Sequence, residues 1–65
     1  MEYKGFKIKV YRDTECGYYC RVTRIKDDWL LDDWYNVSAK SNEDVIKNGR
    51  ELVDDYYTNP SDYED

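Results

Sequence analysis

The side chains with the most chemical potential lie in one stretch, residues 27–34, Asp-Asp-Trp-Leu-Leu-Asp-Asp-Trp, a near-repeat of Asp-Asp-Trp. Carboxylates are the ligands of hard cations, and gathered around magnesium they support RNase H-type hydrolysis. That chemistry requires them to converge. Asp27 and Asp28, and again Asp32 and Asp33, are neighbours in sequence, so in an extended chain the members of each pair point apart. Their spacing also misses the alternating Asp-x-Asp-x-Asp-Gly of a calcium loop. The acids therefore read as a solvated loop, and no metal or cofactor is expected.

Sulfur and imidazole chemistry is equally sparse. The chain has two cysteines, Cys16 and Cys20, and no histidine. In an extended segment a spacing of four holds their α-carbons roughly 13 Å apart, beyond disulfide reach. A zinc site would need carboxylates or a second chain, and neither thiol has an imidazole to act as its base. Cys20 reads as a small core residue and Cys16 as a turn residue. Without a glycine-rich phosphate loop or a Ser/His/Asp set, no enzymatic activity is expected.

Charge is distributed unevenly. Residues 1–26 carry seven basic groups against three acids, whereas residues 43–65 carry eight acids against Lys47 and Arg50, and the whole chain sums to −5. A basic hairpin and an acidic helix and tail make the expected molecule dipolar. Internal pairing and solubility account for such a pattern; a polar partner that reads one face is the functional alternative.

The elements that must position these residues follow from periodicity. Across residues 41–57 the apolar positions Val45, Ile46, Gly49, Leu52, Val53 and Tyr56 fall on one helical face. Ser41 is placed as N-cap, Asp44 three residues on completes a variant capping box, and Asn59-Pro60 ends the helix. Gly49 inside a helix costs up to ~1 kcal/mol relative to alanine and predicts a close approach to the sheet.

Residues 3–12 alternate as a strand with Phe6, Ile8 and Val10 inward and Lys7, Lys9 and Tyr11 outward, Gly5 weakening its start or allowing a bulge. Residues 13–17 form a turn in which Gly17 takes positive φ. Residues 18–26 pair back, with Tyr18, Cys20 and Val22 inward, Tyr19, Arg21 and Thr23 outward, and Ile25 at a bulge or strand end. The acid pairs resist the middle of a sheet, so residues 27–33 are expected to form a long hairpin loop or flared strand end, Leu30 or Leu31 folding back on the body. Residues 34–39 form the third strand, Tyr35, Val37 and Ala39 sharing a face.

The resulting fold class is α+β, a three-stranded antiparallel sheet with one helix packed on its inner face (β-β-β-α). One domain over residues 1–58 is followed by a frayed acidic tail, residues 59–65. Its expected stability is on the order of 5 kcal/mol, with eight tyrosines, two tryptophans and one phenylalanine supplying much of the buried area. No run of about 18 apolar residues suits a membrane span. The alternating N-terminus lacks the apolar block of a signal peptide, so a cytoplasmic location is expected.

Two segments resemble the HicB-like antitoxin family. Residues 13–22, DTECGYYCRV, are similar to that family's acidic turn and second strand, and residues 39–57, AKSNEDVIKNGRELVDDYY, to the start and body of its helix. Ser41, Glu43, Asp44, Val45, Asn48, Glu51, Val53 and Tyr56 fall on matching positions, and the two segments take in about half of the chain. The resemblance implies a partial RNase H-like N-terminal domain that captures a small basic protein, a toxin ribonuclease. Three departures stand against it. The family's Pro-Asp-Leu-Pro-Gly link is replaced by the longer DDWLLDD, and its small helix residues by Val45, Gly49 and Leu52. Its C-terminal DNA-binding domain has no counterpart here, so operator binding is not expected.

The leading expectation is an acidic protein-binding module for a basic partner. Trp29 and Trp34 would anchor it, with Asp28, Asp32, Asp33, Tyr19 and Tyr57 as further contacts; core packing is the competing role for Trp34. The alternative is a free-standing inhibitor whose carboxylates, dense along residues 27–33 and 51–65, imitate a nucleic-acid backbone, as small phage anti-defence proteins can do. A weaker reading gives the outer face of Lys7, Lys9, Tyr11, Tyr19 and Arg21 to single-stranded nucleic acid, against the net charge. A homodimer through a sheet edge is a further expectation.

Overall fold

The computed structural model describes residues 1–15 and 17–63. Strands β1 (Glu2–Tyr3), β2 (Phe6–Asp13), β3 (Gly17–Arg24) and β4 (Leu30–Asn36) form one antiparallel sheet in the order β1-β2-β3-β4. Helix α1 (Asn42–Thr58) follows and packs across one face, and Pro60–Asp62 forms a 3₁₀ turn. The α+β class and the single sheet-covering helix are as expected, but the sheet has four strands, not three.

The extra strand arises at Lys4 and Gly5. Both take positive φ, +49° and +85°, the requirement of a two-residue type I′ hairpin. The chain therefore folds back instead of running straight through residues 3–12, and Tyr3 pairs with Phe6 and Glu2 with Lys7.

β2 and β3 pair as their alternation dictates, Ile8 opposite Val22 and Val10 opposite Cys20. Phe6, Ile8, Cys20 and Val22 are buried, while Val10 and Tyr18 pack partly buried against the same core. Gly17, at φ +77°, opens β3 after a turn in which an Asp13 carboxylate oxygen accepts the Glu15 N–H at 2.7 Å. The Cys16 half of the cysteine reading lies outside the described residues; Cys20 is buried with a free thiol, pushed up in pKa chiefly by burial. β3 ends at Arg24, which leaves Ile25 exposed at the strand end as its phase required.

The third predicted strand is displaced. β4 begins at Leu30 and stops at Asn36, so the loop is only residues 25–29, and the expected face of Tyr35, Val37 and Ala39 does not form. Tyr35 lies on the outer sheet face, Val37 is exposed beyond the strand, and Ala39 packs on the core. A register shift between Val22 and Thr23 inserts one extra residue opposite them. It turns Leu31 into the core at 8% exposure and leaves Leu30 outside at 48%. The acids are tolerated in β4 because it is an edge strand, where charge is compatible with one open side. Asp33 also lies opposite Arg21, which donates from Nε and Nη2 to its two oxygens at 3.0 and 3.2 Å.

On α1, Val45, Gly49, Leu52, Val53 and Tyr56 are buried. Ser41 has the extended backbone of an N-cap, but its side chain makes no capping bond; Asp44 accepts the Lys40 N–H at 2.9 Å, so the capping box is only half formed and shifted by one residue. A Cβ at Gly49 would stand 2.6 Å from Ile8 Cγ2, the close approach that glycine predicted. After the helix, the 3₁₀ turn returns Tyr63 to Tyr56, ring centroids 6.0 Å apart, so the expected tail is packed as far as Tyr63. Glu64 and Asp65, the end of that tail, lie outside the described residues.

Candidate partner-binding site

Trp34 sits opposite Cys20 on the helix side of β4 and is half-buried against the core. Across from it α1 presents Glu51, Leu52 and Asp55, the first and last a helical turn apart on the same side. Pro60 stops the helix, and the 3₁₀ turn swings Tyr63 into the remaining gap. These five residues line a groove of about 350 Å³.

Its electrostatics follow from the partners of Asp55. The Tyr63 hydroxyl donates to one carboxylate oxygen, and Asn59 Nδ2 donates to the other at 3.4 Å. The bond to Asp55 first, then burial, then the charges of Asp55, Asp32 and Asp62 push the Tyr63 phenol up to about 12. Tyr63 is therefore a fixed donor that orients Asp55. Glu51 is exposed at the rim. Aromatic walls with carboxylates at the rim suit a cationic side chain, above all a guanidinium, which stacks on rings and takes carboxylates in a planar fork.

The residues predicted as contacts divide among three surfaces. Trp34 and Asp32 belong to the groove side: Asp32 pairs opposite the inward-facing Val22, and its charge reaches Tyr63. Tyr19 and Asp33 lie on the opposite, outer face of the sheet, Tyr19 stacked between Tyr11 and Tyr35 and Asp33 bound to Arg21. Trp29, Asp28 and Tyr57 lie at neither place.

Trp29 is half-buried, its ring 5.8 Å from that of Tyr56 and the Arg24 guanidinium 4.7 Å from its centroid. Arg24 also holds Asp27 through two bonds of 3.0 and 2.8 Å, and this pairing lowers the Asp27 carboxyl to about 2. Trp29 is thus taken up in the fold. Asp28 is exposed in the loop at φ +56°. Tyr57 is 55% exposed, and its hydroxyl donates to the Lys4 carbonyl at 2.6 Å, closing the β1 hairpin onto α1.

Glu51, Leu52, Asp55 and Tyr63 are groove residues that the sequence did not single out as contacts. The spacing of Glu51 and Asp55 on the helix was a usable signal; for Tyr63, beyond a proline in an acidic segment, there was none. Among the described residues no group of three or more His, Cys, Asp or Glu is placed to hold a metal, and no helix is long and apolar enough to cross a membrane. No family model, curated protein or solved structure matches the chain.

Proposed function

We propose that this chain is a non-enzymatic module that captures a basic partner protein, with the groove between β4 and α1 receiving a cationic side chain of that partner. The observation that carries this reading is the lining of the groove: Trp34 and Tyr63 as walls, Leu52 as floor, Glu51 and Asp55 as acids. The acidic helix around it raises the encounter rate with a cationic surface, and the desolvated rings supply contact that salt does not screen. A small basic toxin ribonuclease, as the HicB-like resemblance implies, is one partner of this chemistry.

Phosphate mimicry has less support. It relies on free carboxylates along residues 27–33 and 51–65, and of these Asp27 is bound to Arg24, Asp33 to Arg21 and Asp54 to Lys4, while Asp55 accepts from Tyr63 and Asn59. The test is a tagged pull-down from the native host with washes at moderate and high salt. A small basic protein that survives high salt and is lost with Glu51→Lys supports the module. A nucleic-acid-binding complex that salt releases and DNA or RNA competes away overturns it in favour of mimicry.

A further inference from the structure

Among the described residues, none forms a layer over the face of the sheet away from α1. Its cross-strand rows are Tyr11–Tyr19–Tyr35 and Lys9–Arg21–Asp33, with Leu30 next along β4. The three tyrosine rings stack face to face, centroids 5.1 and 4.6 Å apart and tilted by only 17° and 23°. Tyr35 and Leu30 are 54% and 48% exposed. Tyrosine-rich surface of this kind is typical of interface cores.

Single-stranded nucleic acid is a poor occupant. Bases stack on free ring faces, and here the faces between neighbouring rings are already used by one another, on a chain of net charge −5. Pairing of a second copy along the β4 edge is also obstructed. The outward N–H of Asp33 is already taken at 2.8 Å by the Asp32 carboxylate, and a strand docking there would have to displace it.

We propose instead that the outer face is covered by the outer face of a second copy of this chain, as a two-layer sandwich. The two flanks of the face differ in charge: Lys7 and Lys9 stand in β2, and Asp33, held by Arg21 but with its side chain still 22% exposed for a second cation to share, stands in β4. A twofold axis along β3 lays β2 of each copy over β4 of the other. Lys9 then meets the partner's Asp33, and Tyr11 meets the partner's Tyr35. The Arg21 side chains that approach the axis carry their own counter-ions. This surface is separate from the β4–α1 groove, so both copies keep that groove open.

Sedimentation equilibrium of the full chain over a dilution series tests this, with far-UV circular dichroism confirming that each variant is folded. The expected species is a dimer, twice the 7.9 kDa of one chain. Tyr19→Arg, at the centre of the face, raises its dissociation constant on the order of thirtyfold or more, the loss expected for a central interface aromatic. The exposed Lys9→Glu weakens it in the same direction, and Asp32→Ser leaves it unchanged. A monomer at every concentration overturns the proposal. So does a dimer indifferent to Tyr19→Arg and Lys9→Glu, or one tightened by Asp32→Ser, which is the signature of edge pairing. None of these outcomes bears on groove capture, which is read by Glu51→Lys.

Discussion

At Gly49 two residue-scale effects oppose each other, and their magnitudes decide the outcome. Replacing a helical glycine with alanine gains up to ~1 kcal/mol of helix propensity, but the added methyl would stand 2.6 Å from Ile8 Cγ2 and 3.2 Å from its Cδ1. Overpacking of a tight core costs about 1–3 kcal/mol. Gly49→Ala is therefore expected to lower the urea midpoint, and Ile8→Ala in the same chain to recover part of the loss through coupling of the two sites; additive effects would contradict the packing account. Tyr63 gives a residue-scale pH dependence. Its folded pKa, about 12, lies above the ordinary 10.0, so its contribution is complete below pH 10 and is lost as pH rises from there towards 12. A urea midpoint measured through that window should fall less steeply for Tyr63→Phe than for the parent chain. Equal slopes would show that the bond to Asp55 does not persist in solution.

The elements differ in how much of them the sequence exposes. The β2–β3 hairpin and α1 are legible because each buries one face, and burial imposes period 2 or 3.6 on the apolar residues. β4 is not, for two physical reasons. Its acids argue against a strand unless its edge position and the Arg21 partner of Asp33 are known, and both are tertiary facts. The bulge also breaks the alternation, so Leu30 and Leu31 look equivalent in sequence and are opposite in the fold. The β1 hairpin escapes because Lys4 adopts a left-handed conformation that nothing in its side chain announces. Of the five residues that line the groove only Trp34 was legible as a contact, and Tyr63 depends on how the chain turns after Pro60. The bulge makes a sharp prediction. Leu31→Ala should cost about 2–4 kcal/mol as a core truncation, and Leu30→Ala should stay within about 0.5 kcal/mol as a surface change, both read from chemical denaturation of the chain diluted to the monomer. The reverse order would place the register shift elsewhere.

On the scale of the whole molecule, charge and covering separate two surfaces. The helix side is acidic and holds the Trp34–Tyr63 groove; the sheet's outer side carries the tyrosine stack with Lys7, Lys9 and Arg21 balanced by Glu2, Asp13 and Asp33. Under the two proposals a cationic protein is captured on the helix side and a second copy is met on the other, each groove binding its own partner independently of the pairing. The most direct test of the capture claim is the affinity of the recovered basic protein for the parent chain, Glu51→Lys, Tyr63→Ala and Tyr35→Ala, measured by titration calorimetry at low and high salt. The groove account predicts losses on the order of thirtyfold for Glu51→Lys and tenfold or more for Tyr63→Ala, with binding that persists at high salt and no change for Tyr35→Ala. Unchanged affinity in both groove variants, or loss confined to Tyr35→Ala, would contradict it.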